Sequence, residues 1–248
     1  MNFLSLFKRK LLYKIKNKIN IDKDNIPIDK DLEYYFTHYG TDKASHWNEG
    51  KNQGHAYTQY YEYHLKNLRK KNINILEIGS YSGASAAAFQ KFFNKSKVFC
   101  ADINISNFKF KSKNIDVFGL DISKSKMRKN LLKKINVNEN DLFFDFIIDD
   151  GSHKLSDILT TFKNLFKYVK SSGFYIIEDY KFPNYFEHLN DVNDIKINDM
   201  INSLKNKKNF NSQIIDKKNQ DFLLKNISEI FTYKGNLKHS DICLIKKC

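Results

Sequence analysis

Proline occurs only at Pro27 and Pro183, and no Ser/Gly-rich stretch divides the 248 residues. A second domain on a flexible linker is therefore not expected, and the length suits one α/β domain with additions. Cysteine is as sparse: Cys100, Cys243 and Cys248 are odd in number and form no Cys-x-x-Cys pair. That excludes a disulfide framework, and the histidines match no zinc pattern with Cys partners. Long apolar runs are missing too. The uninterrupted apolar stretch near the N-terminus is too short for a signal peptide or a membrane span, so a cytoplasmic protein is expected.

Lysine and asparagine are abundant everywhere, in stretches such as NKKNFNSQIIDKKNQ, so part of the formal net charge of +14 reflects a chain-wide bias. The first twenty residues stand apart, holding Lys8, Arg9, Lys10, Lys14, Lys16 and Lys18 with no acid. Phe3, Leu4, Phe7, Leu11, Leu12 and Ile15 recur there at helical spacing, which predicts a basic amphipathic helix. Residues 1–20 have two readings at this point: peripheral contact with the inner face of an anionic membrane, or packing against protein, either the chain's own domain or a partner subunit. A homo-oligomer stays open.

From residue 73 strand-like runs alternate with helix-like ones: NINILEIG, ASAAAFQKFFN, KVFCADI, NIDVFGLDI, SKSKMRKNLLKKI, FFDFIIDD, LSDILTTFKNLFKYV and GFYIIED. The alternation predicts a parallel sheet with right-handed crossovers. A helix near 195–207 precedes ISEIFTYK and HSDICLIKK, two strands with no helix between them, which read as a closing hairpin. The expected fold is α/β and Rossmann-like: a mostly parallel seven-stranded sheet with helices on both faces, an antiparallel C-terminal strand and a helical N-terminal extension. The expected parts are a basic helix and extension over 1–28, a helical lid and cap over 29–72, and the sheet domain over 73–248.

Two runs, DFIIDDGSH at 145–153 and FYIIEDY at 174–180, each end in adjacent carboxylates. Each reads as a buried parallel strand whose polar residues emerge at its C-terminal end, the edge where open α/β sheets bind ligands. On neighbouring strands Asp149, Asp150, Glu178 and Asp179 would crowd one small volume. Two unit charges about 4 Å apart repel by roughly 4 kcal/mol at an effective dielectric near 20, so the cluster needs a proton, a Lys or Arg, or a cation. A hard divalent ion held by oxygen ligands is the simplest resolution. Helix capping by these acids is the plainer alternative.

Upstream, INILEIGSYSGAS (73–85) reads as a strand, a glycine turn and a helix start that offers free N–H groups to a polar ligand. It lacks the full G-x-G-x-x-G pattern, since Tyr81 sits where a middle glycine would be. Glu77 precedes the turn, and Asp102 ends the next strand, where an acid can accept both ribose hydroxyls. Asp121 ends the third strand.

The ordered set EIGSYSGAS, ADIN, GLDIS, FIIDDGSH and YIIED resembles class I S-adenosylmethionine-dependent methyltransferases. It is especially similar to the metal-dependent macrolide sugar O-methyltransferases, the macrocin O-methyltransferase-like or cephalosporin hydroxylase-like group. The likeness runs over roughly residues 38 to 180, including YGTDK and GHAYTQYY. It implies Asp150, Glu178 and Asp179 as Mg²⁺ ligands, with His153 as general base beside Asp150. It further implies that Glu77, Gly79, Tyr81 and Ser85 line the methionine part of S-adenosylmethionine, with Ser80 and Gly83 in the same turn. Asp102 and Ile103 would meet the ribose, Asp121 and Ile122 the adenine, and Asp149 would complete the cofactor set. Lys43, His55 and Tyr57 look like a lid over cofactor and substrate.

The expected activity is thus Mg²⁺-dependent transfer of a methyl group to a hydroxyl of a sugar or glycosylated small molecule with vicinal oxygens, in cell-surface glycan or natural-product synthesis. Two other classes are weighed against it: an RNA or nucleic-acid methyltransferase, disfavoured by diffuse charge and acidic strand ends, and a non-catalytic cofactor-binding assembly subunit. A hydroxylase finds no two-His-one-carboxylate arrangement for iron. His38, His46 and His55 fall in an aromatic N-terminal layer, while His64, His188 and His239 read as surface residues. Tyr57, Tyr60, Tyr61 and Tyr63 read as helix packing rather than a stacking platform, with a sugar-binding role for some of them left open.

Overall fold

The computed structural model describes residues 3–48 and 50–248, with Phe3 defined by its backbone; Met1 and Asn2 of the expected extension lie outside the described residues. Seven strands form one sheet: β1 (Ile73–Ile78), β2 (Ser96–Asp102), β3 (Ile115–Gly119), β4 (Phe144–Asp149), β5 (Val169–Glu178), β6 (Ile227–Lys234) and β7 (Asp241–Lys247). Their order is β6-β7-β5-β4-β1-β2-β3. Strands β1 to β5 pair in parallel, and β7 runs antiparallel to both its neighbours. The expected hairpin is present, and its second strand inserts between its first strand and β5. Runs such as ILEI, FIID and YIIE are apolar at successive positions because both faces of these strands are covered.

Nine helices occur among the described residues: α1 (Phe3–Ile15), α2 (Leu32–Tyr39), α3 (Thr58–Leu65), α4 (Ala84–Phe92), α5 (Ser125–Lys134), α6 (Leu155–Leu165), α7 (Phe182–Tyr185), α8 (Ile197–Lys205) and α9 (Lys217–Asn226). Helix α9 begins inside a Lys/Asn-biased stretch that carries little periodicity. Asp216 starts it by accepting the Asn219 N–H at 3.0 Å, and of its side chains only Gln220 and Leu223 are buried. Helix α2 has clearer punctuation: Asp31 accepts the Tyr34 N–H at 2.8 Å, and Gly40 closes the helix at φ +77°.

Strand alternation divides the core into two layers. Leu76, Ile147, Tyr175 and Ile177 face one layer, shared with α6 and α8; Ile75, Ile148, Ile176 and Leu244 face the other. Into the second layer pack α2, α3 and α4, where Phe36 and Tyr61 each meet the Phe89 ring at 5.2 Å between centroids. Helices α2 and α3 therefore share the sheet's own core. Ile19 and Asn20 also pair in parallel with Phe110 and Lys111.

Candidate active site

At the C-terminal edge of β1 the chain turns through Gly79 (φ +84°) and Gly83 (φ +78°), the residue before α4. A Cβ at Gly79 would run into the backbone carbonyl of Asp150, so the turn needs glycine for space as well as for its positive φ. The close approach is held by hydrogen bonds from Gly79 N–H to Ala101 O at 2.9 Å and from Asp150 N–H to Ile78 O at 3.0 Å. The two acid-bearing turns are thereby locked side by side.

Glu77 is completely buried beneath this turn. Its Oε1 accepts the Ser85 hydroxyl, and its Oε2 has no hydrogen-bond partner among the described residues. Burial pushes the Glu77 carboxyl up to about 7, against the opposing pull of Lys43. Ser80 donates to the Glu77 carbonyl at 3.2 Å. Across the edge Asp102 accepts the Tyr81 N–H at 2.8 Å and the Asn104 N–H at 2.5 Å, while the Tyr81 ring lies largely in solvent at φ +40°. Gly79, Asp102, Ile103, Asp121, Ile122 and Asp149 line one cleft of about 190 Å³. The Asp121 carboxylate also accepts the Ser123 hydroxyl at 2.6 Å.

The expected crowding of four carboxylates is divided by strand alternation. Asp149 turns to the face of Ile147, where its Oδ2 accepts the hydroxyls of Thr161 and, at 2.9 Å, Tyr175. Burial raises its carboxyl to about 6. Glu178 turns to the opposite face, where Tyr61 donates to Oε1 and the Lys43 ammonium lies 2.6 Å from Oε2. The same ammonium is 2.5 Å from Asp150 Oδ2. Lys43 was expected in a lid over cofactor and substrate, but its side chain is only 2% exposed and serves as the counter-charge of the acid cluster.

His55 and Tyr57 reach the same place. The Tyr57 hydroxyl donates to Asp179 Oδ1 at 2.5 Å. His55 Nδ1 lies 3.5 Å from that oxygen and 2.8 Å from Ser240 Oγ. Burial raises the Asp179 carboxyl to about 7, with the Tyr57 hydrogen bond opposing. His153 sits at φ +55° with Nε2 3.6 Å from Asp150 Oδ1 and its ring 4.9 Å from Phe182. Burial lowers the pKa of both His55 and His153, which keeps the imidazoles neutral. Asp179 shares the left-handed backbone, at φ +50°. Such conformations in non-glycine residues concentrate at sites where function over-determines the backbone.

One ligand atom each from Asp150, His153 and Asp179 lies within 4.8 Å of the others. The two carboxylates, with the neighbouring Glu178, offer the oxygen donors that a hard divalent cation takes. The unpaired Glu77 Oε2 fits a ligand ammonium, and Asp102, directly after the buried run of β2, fits a diol.

Three side chains at the site escaped the sequence reading. Tyr61 follows Tyr57, the residue that caps α3, by four positions, so the two hydroxyls reach the same side, and that spacing was the available signal. Thr161 and Tyr175 meet Asp149 across the sheet's other layer and carried no local sign. Tyr60 stacks on Tyr233 at 4.2 Å, while Tyr63 is exposed. His64 and His239 were expected at the surface but are half-buried, His64 lying 2.8 Å from the Tyr233 hydroxyl; His188 is exposed.

No family model matches the chain. Among curated proteins it is 28% identical over 144 residues to mycinamicin VI 2''-O-methyltransferase of Micromonospora griseorubida, covering 50% of this chain and 31% of that one. It is 30% identical over 139 residues to L-olivosyl-oleandolide 3-O-methyltransferase of Streptomyces antibioticus, covering 50% and 32%. A tetracenomycin rhamnosyl 3'-O-methyltransferase of Streptomyces olivaceus is 29% identical over 157 residues, covering 60% and 36%. The aligned part is thus about a third of the length of these relatives. Among solved structures, MycE methyltransferase in complex with Mg, S-adenosylhomocysteine and mycinamycin VI superposes with TM-score 0.65 at 19% identity, over 88% of this chain and 54% of that one. The chain has the Rossmann-like methyltransferase fold, and its sequence relatives are sugar O-methyltransferases.

Proposed function

We propose that this protein is a Mg²⁺-dependent, S-adenosylmethionine-dependent O-methyltransferase whose acceptor is a hydroxyl of a sugar or glycosylated small molecule. The observation that carries the reading is the adjacency of two half-sites at one sheet edge: the Gly79 turn with the unpaired Glu77 carboxylate oxygen, locked by main-chain hydrogen bonds to the turn bearing Asp150 and His153. The sugar O-methyltransferases among the relatives, and the Mg and S-adenosylhomocysteine bound by MycE, support it.

Glu77 would receive the cofactor's ammonium, Asp102 its ribose hydroxyls, and Ile103, Asp121 and Ile122 its base; Gly79, Ser80, Tyr81, Gly83 and Ser85 shape the turn around the methionine part. Asp150 and Asp179, joined by Glu178, would hold Mg²⁺. When bound, the cation supplies a positive charge that chelates vicinal oxygens and lowers the pKa of the hydroxyl to be methylated, and the sulfonium cofactor supplies the methyl group. His153, neutral and one turn beyond Asp150, accepts the hydroxyl proton at Nε2. Lys43, Tyr57 and Tyr61 hold the carboxylates in place, and holding both reactants in attack geometry supplies on the order of 7 to 11 kcal/mol of the barrier. The compartment proposed is the cytoplasm, where three unpaired cysteines stay reduced.

Calorimetric titration of S-adenosylmethionine and S-adenosylhomocysteine, with Mg²⁺ and then with EDTA, tests the reading. Micromolar cofactor binding and a separate Mg²⁺ signal that disappears in Asp150→Asn are expected. Absence of cofactor binding in both conditions removes the methyltransferase assignment.

A further inference from the structure

Beyond Leu120, which also walls the cofactor cleft, a second cleft of about 540 Å³ runs between α1, the outer edge of β3 and α5. Its interior is apolar: Leu6 from α1, Val117, Phe118 and Leu120 from the edge strand and its end, Met127 and Leu131 from α5. Its rim is cationic. Lys10 and Lys14 stand one turn apart on α1, Lys126 and Lys134 two turns apart on α5, and no acid lines the cleft among the described residues. Size and lining are those of a ligand site.

Helix α1 is fixed to the domain in an unusual orientation. Leu6 is buried, Tyr13 meets the Phe108 ring edge-on at 6.3 Å, the Arg9 guanidinium donates to Ile103 O at 3.1 Å, and Lys16 donates to Ser106 O at 3.1 Å and Asn107 O at 3.2 Å. These contacts turn the larger apolar stripe outward: Phe7, Leu11 and Ile15, at successive turns, are 63%, 51% and 71% exposed. A helix whose apolar stripe faces solvent while its polar side chains grip the domain is built to meet a second apolar medium.

We infer that this face docks on an anionic phospholipid bilayer. Helix α1 lies in the headgroup layer with Phe7, Leu11 and Ile15 among the acyl chains, and the cleft receives the chain of one lipid whose phosphate meets the lysine rim. Charge selects the occupant. A second copy of a chain with net charge +14 would set these lysines against their own kind, whereas an anionic leaflet neutralises them. Because α1 grips the loop directly after Asp102, the docked face adjoins the cofactor cleft. The inference rests on the surface alone and stands apart from the methyltransferase assignment.

Co-sedimentation of the full chain with vesicles tests it without any turnover measurement. Binding to vesicles of phosphatidylcholine with phosphatidylglycerol, weak binding to phosphatidylcholine alone, and loss of binding with rising salt are expected. Leu11→Asp, and separately the pair Lys126→Glu with Lys134→Glu, should each weaken vesicle binding by about ten-fold or more while leaving the thermal transition and any S-adenosylhomocysteine binding unchanged. Failure to bind anionic vesicles, or equal binding by both variants with their folds intact, overturns the inference. So does a concentration-dependent dimer in light scattering that Leu11→Asp dissociates, since the face would then be a self-interface.

Discussion

Lys43 Nζ lies 2.5 Å from Asp150 Oδ2, two groups 107 residues apart in the chain that meet at the sheet's C-terminal edge. Glu178 shares the ammonium at 2.6 Å, so one buried cation neutralises two carboxylates that belong to different strand ends. Coulombic attraction to Asp150 and Glu178 outweighs burial and raises the Lys43 pKa. The pair is expensive to break and informative when broken.

Lys43→Met removes the cation and leaves its carboxylates buried without a counter-charge. Loss of one partner from a buried pair costs about 3–5 kcal/mol, so the melting temperature in EDTA falls sharply. Added Mg²⁺ should then restore more of the transition in the variant than it adds to the parent, because the ion fills the role Lys43 gave up. Identical Mg²⁺ shifts in both proteins would count against a cation site at these acids.

Glu77 gives stability a definite pH dependence. Its carboxyl titrates at about 7 in the fold and at 4.5 as an ordinary glutamate. Below the lower value both states are protonated and nothing is lost. Between the two the unfolded chain releases a proton that the fold keeps, so stability falls as pH rises, by about 3 kcal/mol in all for a shift of this size. Glu77→Gln should flatten that slope and stabilise the protein at pH 8, at the expense of cofactor affinity. Urea melts at pH 5 and pH 8 give the answer; a slope identical to the parent's rejects the buried carboxyl as its source.

His153→Asn keeps a side chain that tolerates the left-handed backbone at this position. Cofactor and Mg²⁺ titrations should resemble the parent's, and turnover with an accepted sugar should drop by about 10² to 10⁴, the usual contribution of a general base. Since burial lowers the imidazole pKa, the acid limb of the parent's rate profile should lie below that of a free imidazole. Parent-like turnover in the variant ends the base assignment.

Gly79→Ala sets a Cβ against the Asp150 carbonyl at a backbone angle that L-residues rarely adopt. Destabilisation beyond about 1 kcal/mol is expected, together with loss of both cofactor and Mg²⁺ signals, since the two half-sites share that contact. Loss of only one signal would show that they are independent.

The sheet was legible because strand and helix periods alternate cleanly from residue 73, and the glycine turn because INILEIGSYSGAS combines a buried run with residues that permit a tight turn. The acid-bearing ends were legible for the same reason. Their partition was not drawn, although adjacent strand residues must face opposite ways: Asp149 joined Thr161 and Tyr175 while Glu178 joined Lys43 and Tyr61. Contacts of that second kind depend on how the N-terminal layer docks, which no local pattern encodes. Helix α9 was missed because it buries too little to imprint a period.

Strand β7 lies between β5 and β6, and Ser240 at its entrance binds His55, beside Asp179. A chain growing from its N-terminus can pair β1 to β5 early, yet β6 has no partner in the sheet until the segment through Lys247 emerges. During that interval β5 is an open edge, and the pocket around Asp179 lacks a wall. Completion of the acid cluster's surroundings therefore waits on the pairing of β7, and a chain cut before Asp241 should expose β5 as an open edge, with a finished cofactor turn beside an unfinished metal end.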